Sequence, residues 1–229
     1  MIDSVLFIGG KAVDENTPLQ ALMQSGIMVA AADSGYDAAF KLGFPPQLIC
    51  GDMDSLSDRR GLEAGAHTEV VQVDRDKDET DTELGLRLLR KRGYTSTLLC
   101  GGGASGRFDH ELGVLWTFFR QAPPRAWLQP ESEMVHLRAG EQLSCRLQPE
   151  TVLSCFPASP TDHCSLESKG LKWPLQGLAW TRETIGISNE VISPDVTFIA
   201  HSGGLLIIRP HRVDGALNGD SILEALWRV

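Results

Sequence analysis

A chain of 229 residues with 42% hydrophobic and 22% charged residues is ordinary for a soluble globular protein and long enough to bury a proper core in one large or two modest domains. The net charge of −9 argues against a nucleic-acid-binding surface, and no apolar run reaches transmembrane length. Five cysteines, an odd number and never in CxxC spacing, argue against a disulfide framework or a zinc site; with no basic-then-apolar leader, reduced thiols in a cytoplasm are expected.

Taken in chain order, the first half alternates. Strand-like runs lie at 5–8, 28–32, 48–50, 69–73, 97–100 and 126–129. Between them, Thr17, Pro18 and Gln20 open a helix to about residue 25, and a second covers 34–42, stopped by Gly43 and two prolines. A short third spans 57–64. Thr80 with Glu83 reads as a capping box for a fourth, with Leu84, Leu88 and Leu89 as its apolar stripe and Gly93 as its stop. A fifth covers 107–119. Strand and helix in alternation imply right-handed βαβ units: an α/β fold with a mainly parallel sheet and helices on both faces. From about residue 134 short alternating runs separated by turn residues predict antiparallel strands in a smaller all-β sandwich, with a last helix or strand at 220–227. The expected domains are 1–130 and 131–229.

In an open parallel sheet, ligands bind beyond the carboxyl ends of the strands. Asp33 follows the second strand, GDMDS (51–55) the third, DRDKDETD (74–81) the fourth and GGGASGRFDH (101–110) the fifth. If 52–54 is extended, Asp52 and Asp54 point the same way; Asp78 and Asp81 share a face at a helix entry. Carboxylates from two loops facing one cleft need a counter-ion. Hard oxygen donors without a His or Cys cluster select Mg²⁺, which binds through a few carboxylates plus substrate phosphates, so the second partner is expected to be a nucleotide. Glycines and a helix N-terminus at 101–107 suit phosphate, and Arg107 can grip its oxygens. Each segment also has an ordinary reading: a solvated acidic loop at 74–81, a Gly-Asp turn with a cap at Ser55, a helix cap at Asp33, a structural first-turn residue at His110. An EF-hand is excluded because Glu79 and Gly85 stand where that loop needs Gly and Glu.

The segments AADSGYD, GDMDS, KDETDTEL, GGGASGRFDH, GLKWPL and GISNE occur in the order and approximate spacing of the thiamine pyrophosphokinases, and the resemblance spans nearly the whole chain. It implies an α/β nucleotide-binding domain followed by a β-sandwich, a homodimer, and transfer of the pyrophosphoryl group of ATP to the hydroxyl of thiamine. Carried over by position, it implies Mg²⁺ held by Asp52, Asp54, Asp78 and Asp81. ATP as co-substrate would meet Asp33, Asp78, Thr80, Ser105, Arg107 and His110. Asp54, Asp81, Arg107 and Asp109 would serve catalysis. Ser188 and Asn189 would bind thiamine across the dimer interface. GLKW, residues 170–173, matches a family pattern that also reads as a packing turn. The alternatives are a pyrophosphokinase for another alcohol such as a hydroxymethyl pterin, a non-catalytic nucleotide or thiamine-diphosphate sensor, and, on the glycines at 101–106 alone, a dinucleotide-dependent oxidoreductase.

Overall fold

The computed structural model describes residues 1–14, 19, 26–53, 68–103, 107–158, 163–181 and 184–226. The expected helices at 17–25 (Leu19 apart) and 57–64 lie outside them. The chain divides into two compact units, Met1–Thr117 with Trp127–Pro130 and Phe118–Ala126 with Glu131–Val229.

The first unit is built on a parallel sheet. Strands β1 (Ser4–Ile8), β2 (Met28–Ala32), β3 (Leu48–Gly51), β4 (Glu69–Gln72) and β5 (Thr97–Gly101) run in the order β5-β1-β2-β3-β4, with β6 (Ala126–Leu128) beside β5. All four pairings among the first five are parallel. Every residue of β1, β3 and β5 is buried, as strands covered on both faces require, whereas β4 at the edge is largely exposed. The chain progresses from β1 to β4 in one direction and then returns to place β5 on the other side of β1. That reversal makes a crevice at the carboxyl ends of β1 and β5.

Helix α1 (Gly35–Lys41) follows β2 and helix α2 (Asp81–Lys91) follows β4. The capping box of α2 is complete: Glu83 N donates to Thr80 Oγ1 at 3.3 Å and Thr80 N donates to Glu83 Oε2 at 2.7 Å. Leu84, Leu86, Leu88 and Leu89 bury its inner face, each contributing about 1.5–3 kcal/mol. Gly85 lies against Leu6 and Cys50, while Phe44, just past α1, meets Phe7 with ring centroids 5.6 Å apart. Neighbouring strand residues point to opposite faces, so the two helices cover opposite sides of the sheet. Helix α3 (Phe108–Trp116) follows β5, continues as a 3₁₀ turn over Thr117–Phe119, and buries none of its own residues.

The second unit is antiparallel β. One sheet carries β11 (Gly186–Glu190), β9 (Val152–Pro157), β13 (Leu205–Pro210) and β7 (Ser132–Leu137) in that order. Another carries β10 (Ser165–Lys169), β12 (Asp195–Ser202) and β8 (Gln142–Arg146). A short ribbon pairs β14 (Arg212–Val213) with β15 (Ala216–Leu217). In β12 the buried residues are Val196, Phe198 and Ala200, the period-two pattern of a strand with one face on a core. The closing segment expected as helix or strand is a 3₁₀ helix over Leu223–Leu226.

His136 on β7 is 4% exposed and packs edge-on against Phe118. Burial, helped by the charges of Arg138 and Arg125, pushes its pKa down from 6.5 to about 4. The folded protein therefore holds this imidazole neutral in a range where the unfolded chain takes up a proton. Its contribution to stability is intact above pH 6.5 and is lost as pH falls from there towards about 4. The loss approaches about 1.4 kcal/mol per pH unit at its steepest. Urea titrations across that window are expected to show a shallower acid decline for His136→Asn than for the native chain. Parallel declines would remove His136 from the account.

Candidate active site

A cavity of about 600 Å³ opens at the carboxyl ends of the parallel strands. Each strand-end loop supplies part of its wall: Gly9 and Gly10 after β1, Asp33 and Ser34 after β2, Asp52 after β3, Arg75, Lys77 and Glu79–Thr82 after β4, and Gly102, Gly103 and Arg107–Glu111 around β5 and α3, where Phe108 is not part of the lining. Trp127 of β6 closes one side, its Nε1 donating to Gly101 O at 2.8 Å. The size suits a nucleotide-scale ligand.

Local sequence explains how the loops meet. A Cβ on Gly10 would stand 2.9 Å from Gly102 Cα, so the loops after β1 and β5 approach backbone to backbone because residue 10 is glycine. Gly51 ends β3 at φ +142°, and a Cβ there would press on Asp81 Oδ1 at 3.1 Å and on Asp33 N at 3.3 Å. The glycine of GDMDS thus lets three acidic loops close together. Asp33 and Met53 hold left-handed backbone, φ +48° and +63°. Such conformations cost about 1–2 kcal/mol outside glycine and concentrate at functional sites. Because Met53 is left-handed, the strand does not continue through it, and strand alternation does not set the direction of the Asp52 side chain as the sequence suggested; Asp54 lies outside the described residues.

The charge around the cavity is mixed. Asp33, Asp52, Glu79, Asp81, Asp109 and Glu111 face Arg75, Lys77 and Arg107. Lys77 Nζ stands 3.0 Å from Asp81 Oδ1. This contact is ionic rather than a directed hydrogen bond: Asp81 Oδ1, like Asp33 Oδ1, is a buried oxygen that accepts none among the described residues. Glu79 is held by Nε and Nη2 of Arg87, which keep its carboxyl below its usual range. Arg107 makes a similar fork with Asp109, Nε to Oδ1 at 3.0 Å and Nη2 to Oδ2 at 2.7 Å. That pairing pulls Asp109 down to about 2, so it is a carboxylate that aims the guanidinium rather than an acid. Cys50, beneath the same loops, is pushed up to about 12, chiefly by burial and then by the Asp81 charge, which makes it a structural thiol.

Of the residues expected from sequence, the cavity gathers Asp33, Asp52, Thr80, Asp81, Arg107, Asp109 and His110. The Thr80 hydroxyl is engaged with Glu83 as a cap. Asp78 is exposed and is not part of the lining. Asp54 and Ser105 lie outside the described residues. Ser188 and Asn189 belong to the second unit, on β11. Ser188 is exposed and left-handed at φ +57°. Asn189 is 4% exposed and clamps the backbone of Trp173, accepting from its N at 3.2 Å and donating to its O at 2.6 Å. Its amide holds the exposed indole of GLKW in place, with Lys172 Nζ 4.9 Å from the ring. Sequence reading overlooked Gly9, Gly10, Arg75, Lys77, Glu111 and Trp127. The first pair follows a strand and was detectable by that rule; the cations were hidden inside a run scanned for acids.

The parallel sheet, with an acidic and glycine-edged cavity at its carboxyl edge, has the arrangement in which α/β enzymes take up phosphate-bearing ligands. Residues 19–128 match the model of the thiamin pyrophosphokinase catalytic domain. Over 171 residues the chain is 27% identical to thiamin pyrophosphokinase 1 of Caenorhabditis elegans, covering 70% of this chain and 68% of that one. The crystal structure of thiamine pyrophosphokinase from Bacillus subtilis superposes with a TM-score of 0.74 at 21% identity, covering 90% of this chain and 98% of that one. That of Candida albicans gives 0.66 at 12% identity, covering 91% and 88%. At such identities the structural likeness is one of fold. The chain is similar to the thiamine pyrophosphokinases, the catalytic-domain match covering just under half of its length.

Proposed function

We propose that this protein transfers the pyrophosphoryl group of MgATP to the hydroxyl of thiamine, giving thiamine diphosphate and AMP. The observation that carries the reading is the meeting of Gly51, Asp33 and Asp81 at one cavity, inside the segment that matches the catalytic domain. In the reaction the thiamine oxygen bonds to the β-phosphorus, the bond from that phosphorus to the α-phosphate oxygen breaks, and AMP departs. No covalent protein group is required, because such transfers depend on positioning and charge neutralisation. Arg107, aimed by Asp109, supplies a bidentate partner for phosphate oxygens. Asp54 or Asp81 accepts the hydroxyl proton. The backbone at Gly10 and Gly102–Gly103 gives phosphate an unobstructed approach.

Magnesium suits the donor set. Among the described residues no group of three or more His, Cys, Asp or Glu forms a metal cage. Magnesium does not need one, since it keeps several waters and uses one or two carboxylates plus phosphates. The buried oxygens of Asp33 and Asp81, without hydrogen-bond donors among the described residues, are hard ligands of the right kind. Of the four aspartates expected at the ion, we assign Asp52 and Asp81, which line the cavity, whereas the exposed Asp78 does not. When bound, it neutralises charge on the transferring phosphates.

We further assign residues 1–130 to the nucleotide and 131–229 to thiamine, with Ser188 and Asn189 in the latter site. A homodimer is supported by the apolar stripe of α3, where Phe108, Leu112 and Trp116 are 73%, 43% and 60% exposed at four-residue spacing. A cytoplasmic setting is supported by five free thiols. Among the described residues no helix is long and apolar enough to cross a membrane.

The test is AMP release from MgATP with thiamine, with a hydroxymethyl pterin and with neither. Release that depends on thiamine is expected. Release only with the pterin would move the substrate, and binding of nucleotide without release would leave a sensor.

A further inference from the structure

We propose that Lys77 is a resident counter-ion: its ammonium keeps free divalent metal off Asp81, and it surrenders that carboxylate when the metal arrives on a triphosphate. The inference rests on reading the cavity as a metal–nucleotide site, and the observation behind it is the geometry of one pair. Lys77 Nζ is 3.0 Å from Asp81 Oδ1, with side chains 17% and 27% exposed. That oxygen is the one packed beside Gly51, where the loops after β2, β3 and β4 converge.

The other cationic pairings here are differently placed. Arg87 grips Glu79 but is not part of the cavity wall, so it fixes a loop. Arg107 grips Asp109 on the first turn of α3, and both are well exposed, at 61% and 63%. Lys77, by contrast, sits on a carboxylate assigned to the metal. Two cations cannot share that oxygen without strong repulsion. An ammonium on a flexible four-carbon stem can swing away, as a guanidinium in a fixed fork cannot do so readily. A triphosphate in the same cavity offers Lys77 new anionic oxygens, so the exchange leaves no charge stranded. The metal ion alone offers no such compensation. The consequence is an order of binding: free metal is held weakly, and the metal–nucleotide complex enters as a unit.

The experiment is a titration of the whole protein with Mn²⁺ alone, followed by the electron paramagnetic resonance of the free ion, in the native chain and in Lys77→Met, Lys77→Gln and Lys77→Arg. Circular dichroism confirms that each is folded. In both neutral variants the Mn²⁺ dissociation constant is expected to tighten about tenfold, the effect of removing one charge a few ångströms from a divalent ion in a hydrated site. Lys77→Arg keeps the charge and should stay near the native value. Unchanged affinity in both neutral variants overturns the proposal. A second titration adds a non-hydrolysable ATP analogue. If the ternary complex forms while free-Mn²⁺ affinity is the same in all four proteins, only the role of Lys77 falls. If no ternary complex forms in any of them, the metal–nucleotide reading fails and takes the proposal with it.

Discussion

Asparagine in place of Asp81 is expected to lower kcat by about 10³-fold or more, the scale of losing a group that stabilises developing charge on a transferring phosphate. The fold should survive. Helix α2 takes its cap from Thr80 and Glu83, neither of which depends on the Asp81 carboxylate. Asparagine has nearly the same shape, so the packing against Gly51 is preserved. What is lost for stability is one negative charge at a helix N-terminus and one partly exposed ion pair with Lys77, together about 1 kcal/mol. Steady-state rates of AMP release and a thermal melt, measured on one preparation, separate the two effects. Asp54→Asn is expected to behave alike. A variant at either position with near-native turnover would refute the role given to that aspartate.

Arg209→Met is expected to destabilise the protein by about 3–5 kcal/mol, the cost of leaving a buried charge without its partner. Arg209 on β13 and Glu133 on β7 are 6% and 0% exposed and joined Nε to Oε1 at 2.7 Å. Glu133 also accepts from Ser221 Oγ at 2.5 Å and from Ile222 N at 2.6 Å. Arg209 Nη1 donates to Asn218 O at 2.6 Å, and the Asn218 amide bridges to Val152 on β9. The pair therefore ties two strands to the segment before the last 3₁₀ helix. Removing the cation alone strands the carboxylate. Removing the charge on both sides, by Glu133→Gln with Arg209→Met, leaves a neutral amide whose oxygen can accept from Ile222 N and whose NH2 can donate to Ser221 Oγ. The double variant is expected to be more stable than Arg209→Met alone, which urea denaturation can resolve. A single variant within the error of the native chain would show that water relieves the buried charge.

The local elements were readable because their signals are local. Thr80 and Glu83 are three residues apart, and the cap they make is decided by that spacing alone. Strand identity in the first unit followed from short apolar runs, and the rule that ligands sit beyond strand ends pointed to loops that line the cavity. The same rule extends to the loop after β1, where Gly9 and Gly10 line the cavity. Asn189 shows what only the fold adds. A polar residue in a motif suggests a ligand group, and only the fold shows its amide spent on the backbone of Trp173.

By itself, the sequence determined where the strands of the parallel sheet and the helix capped by Thr80 lie, where the acidic and glycine-rich loops fall, and the resemblance to the thiamine pyrophosphokinases. The tertiary structure decided the strand order, because the partner of Ser4 on β1 is Thr97, which no periodicity within a short window can name. It also decided that Asp33, Gly51 and Asp81 meet, that Met53 turns left-handed, and that the cations of an acidic loop line the same cavity as its acids. Hydrophobic period and capping act over one or two turns of chain, whereas a charged site is made by side chains whose neighbours are set by the sheet.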